Sequence, residues 1–70
     1  MKYFVAYKQS ENDYIYINSI GSTIGKTPNY YGAIDFLSKE NAENICKFLN
    51  EYDTTQEYIV ISYEYSLKEE

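Results

Sequence analysis

Cys46 is the only cysteine in the chain and there is no histidine, so seventy residues must hold a fold without an internal disulfide and without a Cys/His zinc site. A chain of this size buries only about 60% of the surface its unfolded form exposes. Small domains commonly add a staple for that reason. Here stability has to come from apolar packing, or from association with another chain. A single thiol fits a reducing compartment, and the expected location is the cytoplasm. Seventy residues are enough for one domain and no more.

No apolar run reaches the roughly 18 residues that a membrane helix needs. Met1-Lys2-Tyr3-Phe4-Val5 leads directly into strand-like alternation, and no signal peptide is expected there. The composition holds 10 tyrosines, no tryptophan and no arginine. Its richness in Asn, Ile and Lys suggests an AT-rich coding sequence. Residues 1–35 carry three lysines and three carboxylates. Residues 36–70 carry three lysines against eight carboxylates, so the whole net charge of −5 sits in the second half. That balance repels nucleic acid and anionic membranes and suits a basic protein surface.

Hydrophobic periodicity then sets the elements. Tyr3 to Lys8 alternates, with Tyr3, Val5 and Tyr7 on one side and Phe4 and Ala6 on the other. Gln9 to Asp13 reads as a polar turn. Tyr14 to Asn18 reads as a second strand, with Tyr14 and Tyr16 opposed to Ile15 and Ile17, and the two form an antiparallel hairpin. Gly21, Gly25, Pro28 and Gly32 mark residues 19–32 as a loop, part of which could extend as an edge strand through Ile20 and Ile24. Ser38 is a good helix N-cap. Ala42, Ile45, Cys46, Leu49 and Tyr52 follow at helical spacing, with Glu40, Glu43, Asn44, Lys47 and Glu51 on the opposite face. Glu43 and Lys47 form a favourable i,i+4 pair. Asp53 to Gln56 ends the helix. Glu57 to Ser66 is the longest strand, with Tyr58, Val60, Ser62 and Glu64 opposed to Ile59, Ile61, Tyr63 and Tyr65. The tail 68–70 is expected to fray. The predicted fold class is α+β: a three- to four-stranded, mainly antiparallel sheet with one helix on one face.

Several motifs invite a chemical reading. Gly21-Ser22-Thr23-Ile24-Gly25-Lys26-Thr27 resembles a phosphate-binding loop, but it has three residues between the glycines where four are required, and Pro28 prevents a helix from opening there. A plain Gly/Pro loop is the better reading. Cys46 lies on the apolar helical stripe and reads as a buried small hydrophobe. The carboxylates fall on the wet helix face, in turns and in the tail, and form no catalytic pair. Without histidine, arginine or an activated cysteine, most acid–base and phosphoryl-transfer machinery is missing, so no enzyme is expected, and no cofactor or metal site.

The tyrosines carry the most information. One helix covers one face of a sheet. Val5, Ile15, Ile17, Ile59 and Ile61 are candidates for the covered face, although the hairpin register could swap a strand. Tyr7, Tyr14, Tyr16, Tyr58 and Val60 would then occupy the open face. Tyrosine is a strong β-former that tolerates a half-wet sheet. It is also enriched at interfaces, where its apolar body and polar tip both find partners. The expected partner-binding residues are therefore Tyr7, Tyr14, Tyr16 and Tyr58, joined by the acidic residues Glu40, Glu43, Glu51 and Glu64. The carboxylates could equally serve solubility alone.

Tyr3-Phe4-Val5, Tyr14-Ile15-Tyr16-Ile17 and the run Ala33…Phe36…Ser38…Glu40…Ala42 occur in the order strand, strand, helix start, before a final strand. In this the chain resembles small uncharacterised proteins of phages and prophages of low-GC Gram-positive bacteria. The resemblance implies a phage or mobile-element origin and carries over no functional residue. Many small acidic phage proteins bind and block a host protein, such as a CRISPR nuclease, a restriction enzyme or a repair enzyme. The expectation is therefore a non-catalytic inhibitor or modulator of a host protein, acting in the host cytoplasm, with an anti-CRISPR or other anti-defence role as its sharpest form. Two alternatives stand beside it. One is a structural homodimer or phage assembly component joined through exposed tyrosines and a sheet edge. The other is a small-ligand binder with a tyrosine pocket.

Overall fold

The computed structural model describes residues 1–63. It contains β1 (Lys2–Ser10), β2 (Asp13–Ile20), β3 (Ile24–Thr27), a 3₁₀ turn (Tyr30–Gly32), α1 (Lys39–Tyr52) and β4 (Tyr58–Tyr63). The strands form one antiparallel sheet in the order β3-β2-β1-β4, with α1 against β1 and β4. This is the predicted α+β class. Glu64, Tyr65, Ser66 and the tail 68–70 lie outside the described residues. Among the described residues, no helix is long and apolar enough to cross a membrane.

β1 and β2 extend further into the polar turn than the apolar alternation implies, leaving only Glu11 and Asn12 between them. The ladder continues through polar residues, and the Ser10 hydroxyl donates to Asp13 Oδ2 at 2.8 Å across the turn. Part of the 19–32 stretch does form a strand. Ile24 and Lys26 pair with Ile20 and Ile17, and a register shift falls between Ile17 and Ser19. Gly25 lies opposite Ser19 at that shift, where a Cβ would run into the Asn18 and Ser19 side chains. Beyond Ala6↔Tyr16 the hairpin splays. The segment before the helix fills the gap: the Ile34 N–H donates to the Ile17 carbonyl at 3.0 Å, and Tyr3 and Phe36 exchange both backbone hydrogen bonds.

α1 begins where the sequence predicts. Ser38 has extended backbone angles and its hydroxyl accepts from the Asn41 N–H at 3.3 Å, the ordinary N-cap arrangement. Ala42 and Leu49 are buried against Val5, Ile17 and Tyr58, with Ile45 and Cys46 packed beside them. Tyr52 departs from the expected core stripe. It is 64% exposed and stacks on Phe48 at 5.7 Å, because its position rotates it to the flank of the helix.

Asp53 ties the helix end to the sheet. Its backbone N–H donates to the Leu49 carbonyl, and its carboxylate accepts from the Thr55 hydroxyl, the Thr55 N–H and the Tyr58 hydroxyl. Lys26 Nζ stands 4.0 Å away. The Thr55 and Tyr58 hydrogen bonds, with a smaller contribution from Lys26, lower its pKa from 3.8 to about 2. Near pH 3 the unfolded chain therefore binds more protons at this site than the native protein does. Stability from Asp53 is complete above about pH 4 and is lost as pH falls toward 2. Thermal melts between pH 5 and pH 2 are expected to show Asp53→Asn declining less steeply than the parent. Equal slopes would remove Asp53 as a source of acid sensitivity.

Candidate functional site

The strand faces decide which tyrosines are available. Cross-strand partners share a face, so Val5↔Val60, Tyr7↔Tyr58 and Tyr7↔Ile15 all lie on the helix side. Phe4↔Ile61, Ala6↔Ile59, Ala6↔Tyr16 and Lys8↔Tyr14 lie on the open side. This corrects the assignment made from composition. Ile59 and Ile61 are on the open face, and Tyr7, Tyr58 and Val60 are on the covered one. Tyr58 is only 2% exposed. Its ring meets Tyr7 edge-on at 5.5 Å, and its hydroxyl donates to Asp53 Oδ2 at 2.6 Å. Burial and the Asp53 carboxylate together push its pKa far up. Tyr7 and Tyr58 are core residues.

The open face is not bare. Phe4, Ala6 and Tyr16 are buried there, with Tyr14, Ala33 and Ile61 packed around them. The cover comes from the loop after β3. The Thr27 hydroxyl accepts from the Asn29 N–H at 3.2 Å. The 3₁₀ turn then closes with the Ala33 N–H on the Tyr30 carbonyl, folding Tyr30 back over the sheet. Its ring lies edge-on to Phe4 at 6.0 Å and stacks on Tyr63 at 5.1 Å. Tyr31 stacks on Tyr30 at 4.4 Å and is 83% exposed. Tyr31, Tyr30 and Tyr63 thus make a continuous stack above a floor of Phe4 and Tyr16.

Beside this stack runs a groove of about 540 Å³ between the β1–β2 turn and the 28–31 loop. Tyr14, Tyr16, Tyr30, Tyr31 and Tyr63 supply its aromatic lining. The amides of Gln9, Asn12 and Asn29 lie along the rim, and Asp13 contributes a carboxylate. No lysine is among the lining residues, so the groove offers phosphate oxygens no cation. The Tyr16 and Tyr63 hydroxyls pair at 2.9 Å. Burial, and then this hydrogen bond, raise the Tyr16 pKa to about 12, so both hydroxyls remain neutral hydrogen-bonding groups at ordinary pH. The hydroxyl contact with Tyr31 likewise raises the Tyr30 pKa. Ring faces, hydroxyls and amides in this arrangement suit recognition.

The expected site residues therefore separate. Tyr14 and Tyr16 line the groove, while Tyr7 and Tyr58 are behind the sheet. Glu40, Glu43 and Glu51 are exposed on the outer side of α1, on the far side of the molecule from the tyrosine stack. One flat partner surface cannot touch both. Glu64 lies outside the described residues. Sequence reasoning missed Tyr30, Tyr31 and Tyr63. Two consecutive tyrosines between Pro28 and Gly32 were the available signal, since large aromatics in a turn-rich loop need something to pack on.

The remaining chemical candidates have structural duties. Lys26, the lysine of the glycine loop, stands 5.4 Å over the Tyr7 ring and faces Asp53. The Cys46 thiol donates to the Tyr58 carbonyl at 3.2 Å, and burial raises its pKa, which keeps it a thiol. Among the described residues, no cluster of three or more His, Cys, Asp or Glu side chains could hold a metal.

No protein-family model, curated protein or solved structure matches the chain. Fold and site together define a small α+β domain with a helix on one side of its sheet and a tyrosine-lined groove on the other.

Proposed function

We propose that the protein is a non-catalytic binding module that engages a partner protein through the tyrosine groove and modulates it. The observation that supports this most directly is the stack of Tyr31, Tyr30 and Tyr63. Tyr31 is 83% exposed, and its stability role is confined to one stacking contact. Contiguous exposed aromatic surface beside a groove is characteristic of recognition sites, and tyrosine contributes large contact area with little entropy to lose. The net charge of −5 favours a partner with a basic surface over nucleic acid itself. Together with the resemblance to phage proteins, this makes a host nucleic-acid enzyme, inhibited by occlusion, the sharpest form of the reading.

The test compares two variants in capture from a Gram-positive host lysate, followed by affinity measurement on the captured protein. Tyr31→Ala is expected to weaken binding by about 30-fold, the effect of losing one interface hot spot of about 2 kcal/mol. The triple reversal of Glu40, Glu43 and Glu51 to Lys is expected to change affinity less than threefold and mainly through the association rate. Loss of binding in the triple reversal with full binding by Tyr31→Ala would reject the groove and move the contact to the helix.

A further inference from the structure

The two edges of the sheet are built differently. The β3 edge is four residues long, carries Lys26, has a register shift beside it and runs into Pro28. These are the usual means by which an edge strand is kept from pairing with another chain. The β4 edge has none of them. Its sequence Tyr-Ile-Val-Ile-Ser-Tyr has no charge and no proline, and its register with β1 is unbroken from Tyr58 to Tyr63. A six-residue strand of that composition pairs readily with another strand.

The direction of each backbone group on β4 follows from two independent contacts. The Tyr58 N–H donates to Asn50 Oδ1 at 2.7 Å, and its carbonyl accepts from Asn50 Nδ2 at 3.1 Å. Both groups therefore point away from β1. Tyr3, the cross-strand partner of Ser62, spends its own N–H and carbonyl on Phe36. Ser62 therefore also faces outward. Direction alternates along an antiparallel strand, so Tyr58, Val60 and Ser62 all present their backbone groups to the outer edge. Asn50 occupies the first of the three. Val60 and Ser62 are left, and no described residue bonds to them along that edge.

We infer that β4 pairs antiparallel with β4 of a second copy of this chain, about a two-fold axis at Ile61. The clamp by Asn50 selects this register. Val60 of one copy pairs with Ser62 of the other and the reverse, which makes four backbone hydrogen bonds. The same register sets Ile61 against its own counterpart and Ile59 against Tyr63 of the second copy. Ile59 is 37% and Tyr63 38% exposed in the single chain, and an aromatic residue opposite a β-branched one is a favourable cross-strand pair. The contact is isologous, so it closes at two copies. It makes one eight-stranded sheet with both tyrosine grooves on the same face, and Ile59 of the second copy extends the groove wall at Tyr63.

Sedimentation velocity on the intact chain is expected to show a species of twice the 8.3 kDa protomer mass that dissociates on dilution. Ser62→Pro removes an outward N–H while leaving the β1–β4 ladder intact, as proline is tolerated on that side of an edge strand. It is expected to give a monomer with an unchanged circular dichroism spectrum. Register is read separately. In a Cys46→Ser background, Ile61→Cys is expected to oxidise to a covalent dimer, because directly opposed residues in a non-hydrogen-bonded pair have Cα atoms about 4.5 Å apart, within disulfide range. Ile59→Cys is expected to stay uncrosslinked. A monomer at every concentration, or faster crosslinking at position 59 than at 61, overturns the inference.

Discussion

Phe4→Ala is expected to destabilise the protein by about 3–5 kcal/mol, the usual cost of emptying a buried phenylalanine site. A domain of this length has roughly 3.5–10 kcal/mol to lose, so a large share of the molecules would unfold at room temperature. Phe4 is only 2% exposed, although it lies on the face away from the helix. Its ring meets Tyr16, Tyr30 and Tyr63 edge-on at 5.9, 6.0 and 5.5 Å, and aromatic pairs of this geometry contribute beyond their buried area. Removing the ring also removes the floor under the tyrosine stack. Urea denaturation followed by tyrosine emission checks both effects, since the chain has no tryptophan to mask it. Phe4→Leu keeps much of the volume and is expected to lose less than about 1.5 kcal/mol. A loss below about 1 kcal/mol for the alanine variant would mean that the open face is not a second core.

That second core explains which parts of the fold were legible in the sequence. The alternation within each strand is correct residue by residue, and the β1–β2 hairpin brings Val5, Ile15 and Ile17 to the helix side as read. A hairpin is local, and its short turn leaves little freedom of register. The pairing of β4 with β1 closes almost the whole chain and has no turn to fix it. Both faces of both strands are apolar: Tyr3, Val5 and Tyr7 against Phe4 and Ala6, then Tyr58 and Val60 against Ile59 and Ile61. Hydropathy cannot choose between two such registers, and a slip of one residue exchanges the faces. Val5 was matched with Ile59 and Ile61, while the sheet pairs it with Val60.

The site was harder to read than the fold for a related reason. Ser38 announces α1 through cap chemistry, and Ala42 and Leu49 through helical spacing, because both signals are local. Tyr30 and Tyr31 belong to a loop with no period, and their position over Phe4 depends on the 3₁₀ turn and on a sheet face that is already apolar. The acidic residues were correctly placed on the wet side of α1. Their separation from the tyrosines follows only from the helix covering the opposite face of the sheet, and that is a property of the packed layers.

Leu49→Ala tests the other layer, and its expected cost is about 2–5 kcal/mol. Leu49 is fully buried among Val5, Ile17, Ala42 and Tyr58, and its carbonyl accepts the Asp53 N–H that ends the helix. α1 has 14 residues, a length at which an isolated helix is marginal in water, so it depends on this packing to persist. Phe48→Ala, one residue earlier on the flank, is expected to change stability by less than about 0.5 kcal/mol, because Phe48 is 48% exposed. Urea midpoints for the two variants separate core from flank. The pair Leu49→Ala and Phe4→Ala then asks whether the sheet's two faces act as independent layers. The altered side chains lie on opposite sides of the sheet and belong to separate clusters, but Phe4 and Val5 are neighbours on β1. Each substitution would be measured in a stabilising osmolyte so that the double variant still has a native state. Costs that add to within about 0.5 kcal/mol would mean two independent layers. A smaller combined cost would mean that loosening either face already releases β1, and that the tyrosine groove owes its shape to the helix on the other side.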